Sequence, residues 1–418
     1  MREKKVSLVI RWWVTPKLPV GDIYAPYAAK EKSFLNRLKI LISQWIIHPI
    51  KRRVARRYLK LLQRFTNIKV VAITGSAGKT TTKDMLASIL SEVGPTVWTV
   101  KSIDSVYNIP NTILKTLPGT KYLILEMSVE FPGEMDFYLW LAKPNVVVVT
   151  NVYPTHTQFL KSAKGVAHEK DKLVKALTAQ DTAVLNKENI YAKEMAGKTE
   201  AKILWFGKNG DFQATKIRLN KKLYTNYTLA TRKSKINVQL AVPGTQFVQN
   251  SLAAAGAAYA LDIPINKIKR GLENYKKPEH RMEIIKHPSG ALIIDDSYNN
   301  NPEAAIYALK TLKEIANGKR LVVVMGDMLE LGKLEIKSHK DIGKFIGKMG
   351  VDCLIGVGKA SKYLVEEAKK QNQNNLTFWV SLEKKALPIL KPYLKKNTVI
   401  LIKGSRSISL DRLVSRLS

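Results

Sequence analysis

The feature that most constrains this chain is a nine-residue run, Thr74-Gly75-Ser76-Ala77-Gly78-Lys79-Thr80-Thr81-Thr82, which the β-branched stretch Lys69–Thr74 leads into. A strand, a glycine-bearing turn, Lys-Thr and then a helix from about Thr80 make a phosphate cradle. The glycines let backbone N–H groups approach phosphate oxygens, the lysine neutralises charge, and a threonine hydroxyl can hold Mg²⁺. The longer Walker pattern needs glycine at position 73, which is Ile73 here, so this is the shorter GxxGKTT variant. Alone, the loop predicts an α/β sheet and a nucleoside triphosphate.

The rest of the chain alternates in the same way. Tyr122–Glu126 and Val146–Thr150 read as further buried strands, too short and β-branched to prefer helix. Residues 210–242 are more polar and alternate like antiparallel strands at Lys216–Leu219, Tyr224–Leu229 and Ile236–Val242. Ser251–Leu261 is an alanine-rich helix, and Asn274–Glu279 reads as a linker. Strands follow at Ala291–Asp295, Leu321–Met325, Cys353–Val357 and Thr398–Ile402, with helices between them, which predicts a second, Rossmann-like parallel sheet. For 418 residues this gives three expected units: a basic helical segment over 1–67, an ATP-binding α/β domain over 68–275 and an α/β domain over 276–418.

Charge adds a second constraint. Lys and Arg number 69 against 34 Asp and Glu, a formal +35, and residues 1–67 alone hold 16 basic against 3 acidic residues. Anionic company is expected: nucleotides, nucleic acid, acidic substrates or an anionic membrane face. A nucleic-acid-dependent ATPase would want a strand ending Asp-Glu and basic residues interleaved with exposed aromatics. The strand here ends Glu126-Met127-Ser128, and no nucleic-acid partner is expected. Phe34, Leu38, Leu41 and Trp45 recur at helical spacing until Pro49, where the pattern predicts a break. A second helix then carries Ile50, Val54, Tyr58, Leu61 and Phe65 on one face, with Lys51, Arg52, Arg53, Arg56, Arg57, Lys60 and Arg64 opposite. That stripe either docks on the protein's own core or lies on an anionic membrane surface or partner. No secretory signal or membrane-spanning run is read, so the expected location is the cytoplasm, with residues 1–67 able to reach the inner face of the membrane. A single cysteine, Cys353, excludes an internal disulfide framework.

Further strings extend the pattern: Leu125-Glu126-Met127, Pro132-Gly133-Glu134, Thr150-Asn151-Val152 with Pro154 and His156, Val184-Leu185-Asn186, and Pro243-Gly244 with Asn250. Arg281-Met282, Asp295-Asp296-Ser297-Tyr298-Asn299 running into Asn301-Pro302, Gly326-Asp327-Met328-Leu329-Glu330-Leu331-Gly332, and Lys403-Gly404-Ser405-Arg406 follow. In order and spacing, about residues 68–415 resemble the Mur ligase family, most closely its D-alanyl-D-alanine-adding (MurF) type. The resemblance implies an ATP-dependent amide ligase that activates a carboxylate as an acyl phosphate and joins it to an amine. Its partners would be a cell-wall peptide precursor and an amino acid or dipeptide, and it would act as a monomer.

The resemblance also implies roles. Lys79, Glu126, His156 and Lys170 would be catalytic. Gly75, Ser76, Ala77, Gly78, Lys79, Thr80, Thr81, Asn250, Arg281 and Asp296 would bind ATP. Thr80, Glu126, His156 and a carbamylated Lys170 would hold Mg²⁺, and Asn299, Asn301, Lys403, Ser405 and Arg406 would receive the amine substrate. These assignments agree with the chemistry: both steps crowd negative charge, and Glu126 ends a buried strand, the edge where open α/β sheets place ligands. Two departures stand out. Gln246-Phe247 replaces the His-Asn usual for the type, and residues 1–67 lack the motifs of the uridine-nucleotide domain the family places there. Two ligase readings follow: one with a shortened front end, on a peptidoglycan or pseudomurein-like precursor, and one on a different or lipid-linked carboxylate held near a membrane by the basic helices.

Overall fold

A strand with apolar residues at nearly every position must be covered on both faces, and β1 (Lys69–Thr74) is buried from Val70 to Thr74. The computed structural model describes residues 33–100, 104–155, 157–372 and 376–417. Before β1 come α1 (Phe34–Ile42), a π-helical turn (Ser43–Ile47) and α2 (His48–Phe65). From β1 the chain runs through α3 (Lys79–Ser91), β2 (Thr96–Trp98), α4 (Ser105–Leu114), β3 (Tyr122–Glu126), α5 (Glu134–Leu141), β4 (Val146–Val149) and α6 (Ala163–Lys175). The strands β5 (Thr182–Asn186) and β6 (Lys202–Phe206) complete a six-stranded sheet of order β2-β3-β1-β4-β5-β6. Every pairing in it is parallel.

Three antiparallel strands follow, β7 (Gln213–Leu219), β8 (Thr225–Ala230) and β9 (Lys235–Leu240). Then come α7 (Thr245–Ala260) and α8 (Ile265–Glu273). The alanine run of α7 lets it lie close against α3 and the first sheet. A Cβ at Gly256 would stand 2.8 Å from Val184 Cγ1. The second sheet contains β10 (Glu283–Lys286), β11 (Leu292–Asp296), β12 (Arg320–Gly326), β13 (Cys353–Val357), β14 (Leu376–Val380) and β15 (Thr398–Lys403), with α9 (Pro302–Ala316) between β11 and β12. Its order is β10-β11-β15-β12-β13-β14. The sequence pattern shows its four inner strands; the edges β10 and β14 are additions, and β10 runs antiparallel.

The N-terminal helices differ from expectation in two ways. Pro49 does not break the run: it is the second residue of α2, directly after the π turn, and the backbone stays helical on both sides of it. The chain stays helical through the π turn, closed by the His48 N–H donating to the Ser43 carbonyl. The named apolar stripe also does not dock as a unit. Ile50, Val54, Leu61 and Phe65 are all exposed, and the buried inner face is Arg52, Ala55, Leu59 and Leu62. Arg52, expected on a solvated basic face, is fully buried, with its guanidinium carbon 5.7 Å from the Tyr107 ring centre and 5.4 Å from that of Phe137. Two flanking side chains secure the seating. Tyr58 donates to the Thr116 carbonyl at 2.6 Å and Arg56 Nε to the Trp140 carbonyl at 2.8 Å.

Candidate active site

The phosphate loop leaves the C-terminal end of β1 and is pinned by the segment after β4. The Ser76 N–H donates to the Asn151 carbonyl and the Ala77 N–H to Asn151 Oδ1, at 2.9 and 2.8 Å. Thr150 Oγ1 donates to the Ala77 carbonyl at 2.6 Å. Two glycines are required here. Gly78 has φ +80°, and a Cβ on it would collide with Asn250 Oδ1; one on Gly75 would collide with Thr150 Oγ1. Gly78, Lys79, Thr80 and Thr81 open α3 and line the cleft, and the first four amides of a helix have no partner within it. An anion-binding end therefore faces the cleft.

Behind the loop, Thr80 Oγ1 donates to Glu126 Oε1 at 3.0 Å. The other oxygen, Oε2, accepts no hydrogen bond from the described residues and lies 3.4 Å from Lys83 Nζ. Lys83 is fully buried and also stands 3.3 Å from Asp84 Oδ1. Lys79 Nζ bends back to the Gly75 carbonyl at 3.0 Å. Lys170 is 2% exposed on α6. Burial pushes its ammonium well below the usual lysine range, and the nearby Lys79 charge pushes the same way. Lys79 is lowered as well, chiefly by burial. His156 lies outside the described residues.

The opposite wall comes from the second sheet. Asp296, at the end of β11, accepts from the Met282 N–H at 3.2 Å and from Lys403 Nζ at 2.6 Å. Lys403, 1% exposed, also donates to the Asn299 carbonyl at 2.8 Å. Asp296, expected to bind ATP, and Lys403, expected at the amine substrate, are thus one ion pair. The guanidinium carbons of Arg281 and Arg406 stand 4.4 and 5.9 Å from the centre of the Tyr298 ring. Asn301 caps α9 through the Ala304 N–H, and Ser405 Oγ is spent on the Asp327 carbonyl. Arg406 is exposed, and neither it nor Ser405 lines the cleft that holds Lys79, Asn250, Arg281, Asp296, Asn299, Asn301 and Lys403.

Residues 73–258 match the Mur ligase middle domain and residues 280–406 the Mur ligase glutamate ligase domain. The UDP-N-acetylmuramoyl-tripeptide–D-alanyl-D-alanine ligase of Buchnera aphidicola (subspecies Baizongia pistaciae) is 34% identical over 357 residues, which cover 84% of this chain and 76% of that protein. The chain belongs to the Mur ligase family. It is an ATP-dependent ligase. MurF from Acinetobacter baumannii superposes with a TM-score of 0.80 at 28% identity, over 88% of this chain and 80% of the other. MurF from Thermotoga maritima, solved in complex with ADP, has the same fold, with a TM-score of 0.76 at 23% identity over 88% and 83%.

Sequence reasoning missed several groups in and behind this Mur ligase cleft. Lys83, fully buried behind the loop rather than lining the cleft, is four residues after Lys79 on α3, a spacing that puts both on one helix face and could have been read. Tyr153, Glu188 and Tyr307 line the cleft, but isolated polar residues in loops or in a helix carry no periodic signal; Asn186, quoted in the Val184-Leu185-Asn186 string without a role, also lines it from the end of β5. Phe247, 4% exposed, belongs to the core and also lines the cleft beside Gln246, whose Oε1 is buried with no hydrogen-bond partner among the described residues.

Proposed function

We propose that this ligase joins the amine of D-alanyl-D-alanine to the terminal carboxylate of a muramoyl-peptide-type cell-wall precursor. The supporting observation is the two-walled cleft, with Lys79 and Thr80, backed by Glu126, on one side and Arg281, Asp296 and Lys403 on the other. The choice of substrates follows the names of the relatives. In the division of labour proposed, residues 68–275 bind ATP and residues 276–418 present the amine. The substrate carboxylate attacks the γ-phosphorus, giving ADP and an acyl phosphate. The free amine then attacks the acyl carbon, phosphate leaves, and the amine's proton passes to solvent.

Thr80 and Glu126 form a hard-oxygen donor set in which one carboxylate oxygen accepts no hydrogen bond from the described residues, which fits Mg²⁺. Bound there, the ion would neutralise charge on the transferring phosphoryl group. His156 is assigned to the same ion from sequence alone. Lys79 would contact the phosphates, which requires it to release the Gly75 carbonyl. Lys170 is proposed as the carbamylated lysine: a neutral amine is what adds CO₂, and burial favours that form.

The test is ADP release assayed with D-alanyl-D-alanine and a panel of UDP-linked or lipid-linked peptides. Turnover requiring both a carboxylate and an amine is expected, and Lys79→Ala should abolish it. ADP formation independent of either substrate overturns the reading. Activity should rise with bicarbonate, and Lys170→Ala should be partly rescued by a small carboxylate; indifference to bicarbonate removes the carbamate.

A further inference from the structure

We propose that the outward face of residues 34–65 is a docking surface for an anionic lipid bilayer. Leu38, Ile42, Ile46, Ile50, Val54 and Leu61 are each 41–54% exposed, on the side of the helical run away from the buried Ala55, Leu59 and Leu62. The first five recur every fourth residue. In a pure α-helix each such step drifts by about 40°, so Leu38 and Val54 would end about 160° apart. The π turn absorbs one extra residue, about 100° of rotation, and brings the two halves of the stripe back onto one side. A helical irregularity thus aligns apolar side chains that stay about half exposed among the described residues.

The occupant follows from charge. Residues 34–65 contain no Asp or Glu, and Arg37, Lys39, Arg57, Lys60 and Arg64 are exposed beside the stripe. Two copies meeting through this face would bring like charges together. An apolar stripe edged by cations suits acyl chains below anionic headgroups instead. No described helix is long and apolar enough to cross a membrane, so the run would lie in the interfacial plane. The inner face, seated on α4 and α5, would hold the catalytic lobe at that surface. This proposal is independent of which carboxylate the ligase uses.

The full chain is cosedimented with vesicles of phosphatidylglycerol and phosphatidylcholine, or of phosphatidylcholine alone. At least tenfold tighter binding to the anionic vesicles is expected. The variant Leu38→Ser/Ile42→Ser/Ile50→Ser/Val54→Ser keeps every charge and should bind them at least tenfold more weakly. Arg57→Gln/Lys60→Gln/Arg64→Gln should lose about fivefold per charge, roughly a hundredfold in all. Retained ADP-forming activity shows that the variants fold. Equal binding by the serine variant means adsorption by net charge alone and overturns the proposal. So does a wild-type oligomer that the serine changes dissociate, or binding that appears only once residues 1–32 are removed.

Discussion

Lys83 shows how far the site could be read from single residues. The glycines and Lys79 are legible because a phosphate loop has fixed spacing. Lys83 is one lysine among many in a basic chain, and only the structure puts it between Asp84 and Glu126. Removing one partner of a buried ion pair leaves the other charge uncompensated, at a cost of about 3–5 kcal/mol. Lys83→Met should therefore lower stability in urea by roughly 3 kcal/mol. Added Mg²⁺ should recover part of the loss, since a cation at Glu126 replaces the missing charge; no recovery would place the metal elsewhere. Glu134 makes a second residue-level case. Burial pushes its carboxyl up to about 8, although the Glu130 and Phe131 N–H groups donate to it. The folded state then holds a proton that the unfolded chain releases near the ordinary carboxyl value. This contribution to stability is complete below about 4.5 and is lost as pH rises toward 8. Melting temperature measured from pH 5 to 8.5 should fall in the wild type, with a shallower slope in Glu134→Gln.

At the scale of elements, β1, β3, β4 and the four inner strands of the second sheet were legible because β-branched runs covered on both faces have no other stable place; β5, though fully buried, and β6 were not read as strands. The β2, β10 and β14 edges were not: β2 is three half-buried residues, and Leu376, Phe378 and Trp379 of β14 are exposed, so neither shows a buried-strand pattern. The buried face of the second N-terminal helix was not read for a different reason. The helix carries two apolar stripes, and composition favours the bulkier one, Ile50, Val54, Leu61 and Phe65. The protein buries the other, because Ala55 allows close approach and Arg52 finds the Tyr107 and Phe137 rings. Stability measurements separate the two faces. Leu59→Ala empties a fully buried site and should cost about 2–5 kcal/mol. Leu61→Ala, on a side chain 54% exposed, should change stability by no more than about 0.5 kcal/mol. Equal losses would mean that both faces are covered in solution.

At the scale of the molecule, the two sheets meet at more than the cleft. Thr157 Oγ1 donates to the Leu331 carbonyl at 2.8 Å, and a Cβ on Gly332 would stand 3.2 Å from the Gln158 backbone. The Gly326–Gly332 string is therefore partly a lobe-to-lobe contact. Both oxygens of its Asp327 accept from backbone, Oδ2 from the Lys359 N–H and Oδ1 from the Ser361 N–H, which ties the string to the loop after β13. A nucleotide seated on the loop and touching Arg281 and Asp296 would tie the lobes together a second time. Binding to the folded state alone stabilises it by about 2.7 kcal/mol at a ligand concentration a hundredfold above Kd. Hydrogen exchange read peptide by peptide shows where that stabilisation falls. With MgATP, slower exchange is expected both in the first sheet, residues 69–206, and in β11, β12 and β15 of the second. Arg281→Ala should abolish the effect in the second sheet while keeping part of it in the first, and Lys79→Ala should weaken both. Protection confined to residues 69–206 in the wild type would mean that the second sheet does not take part in holding ATP.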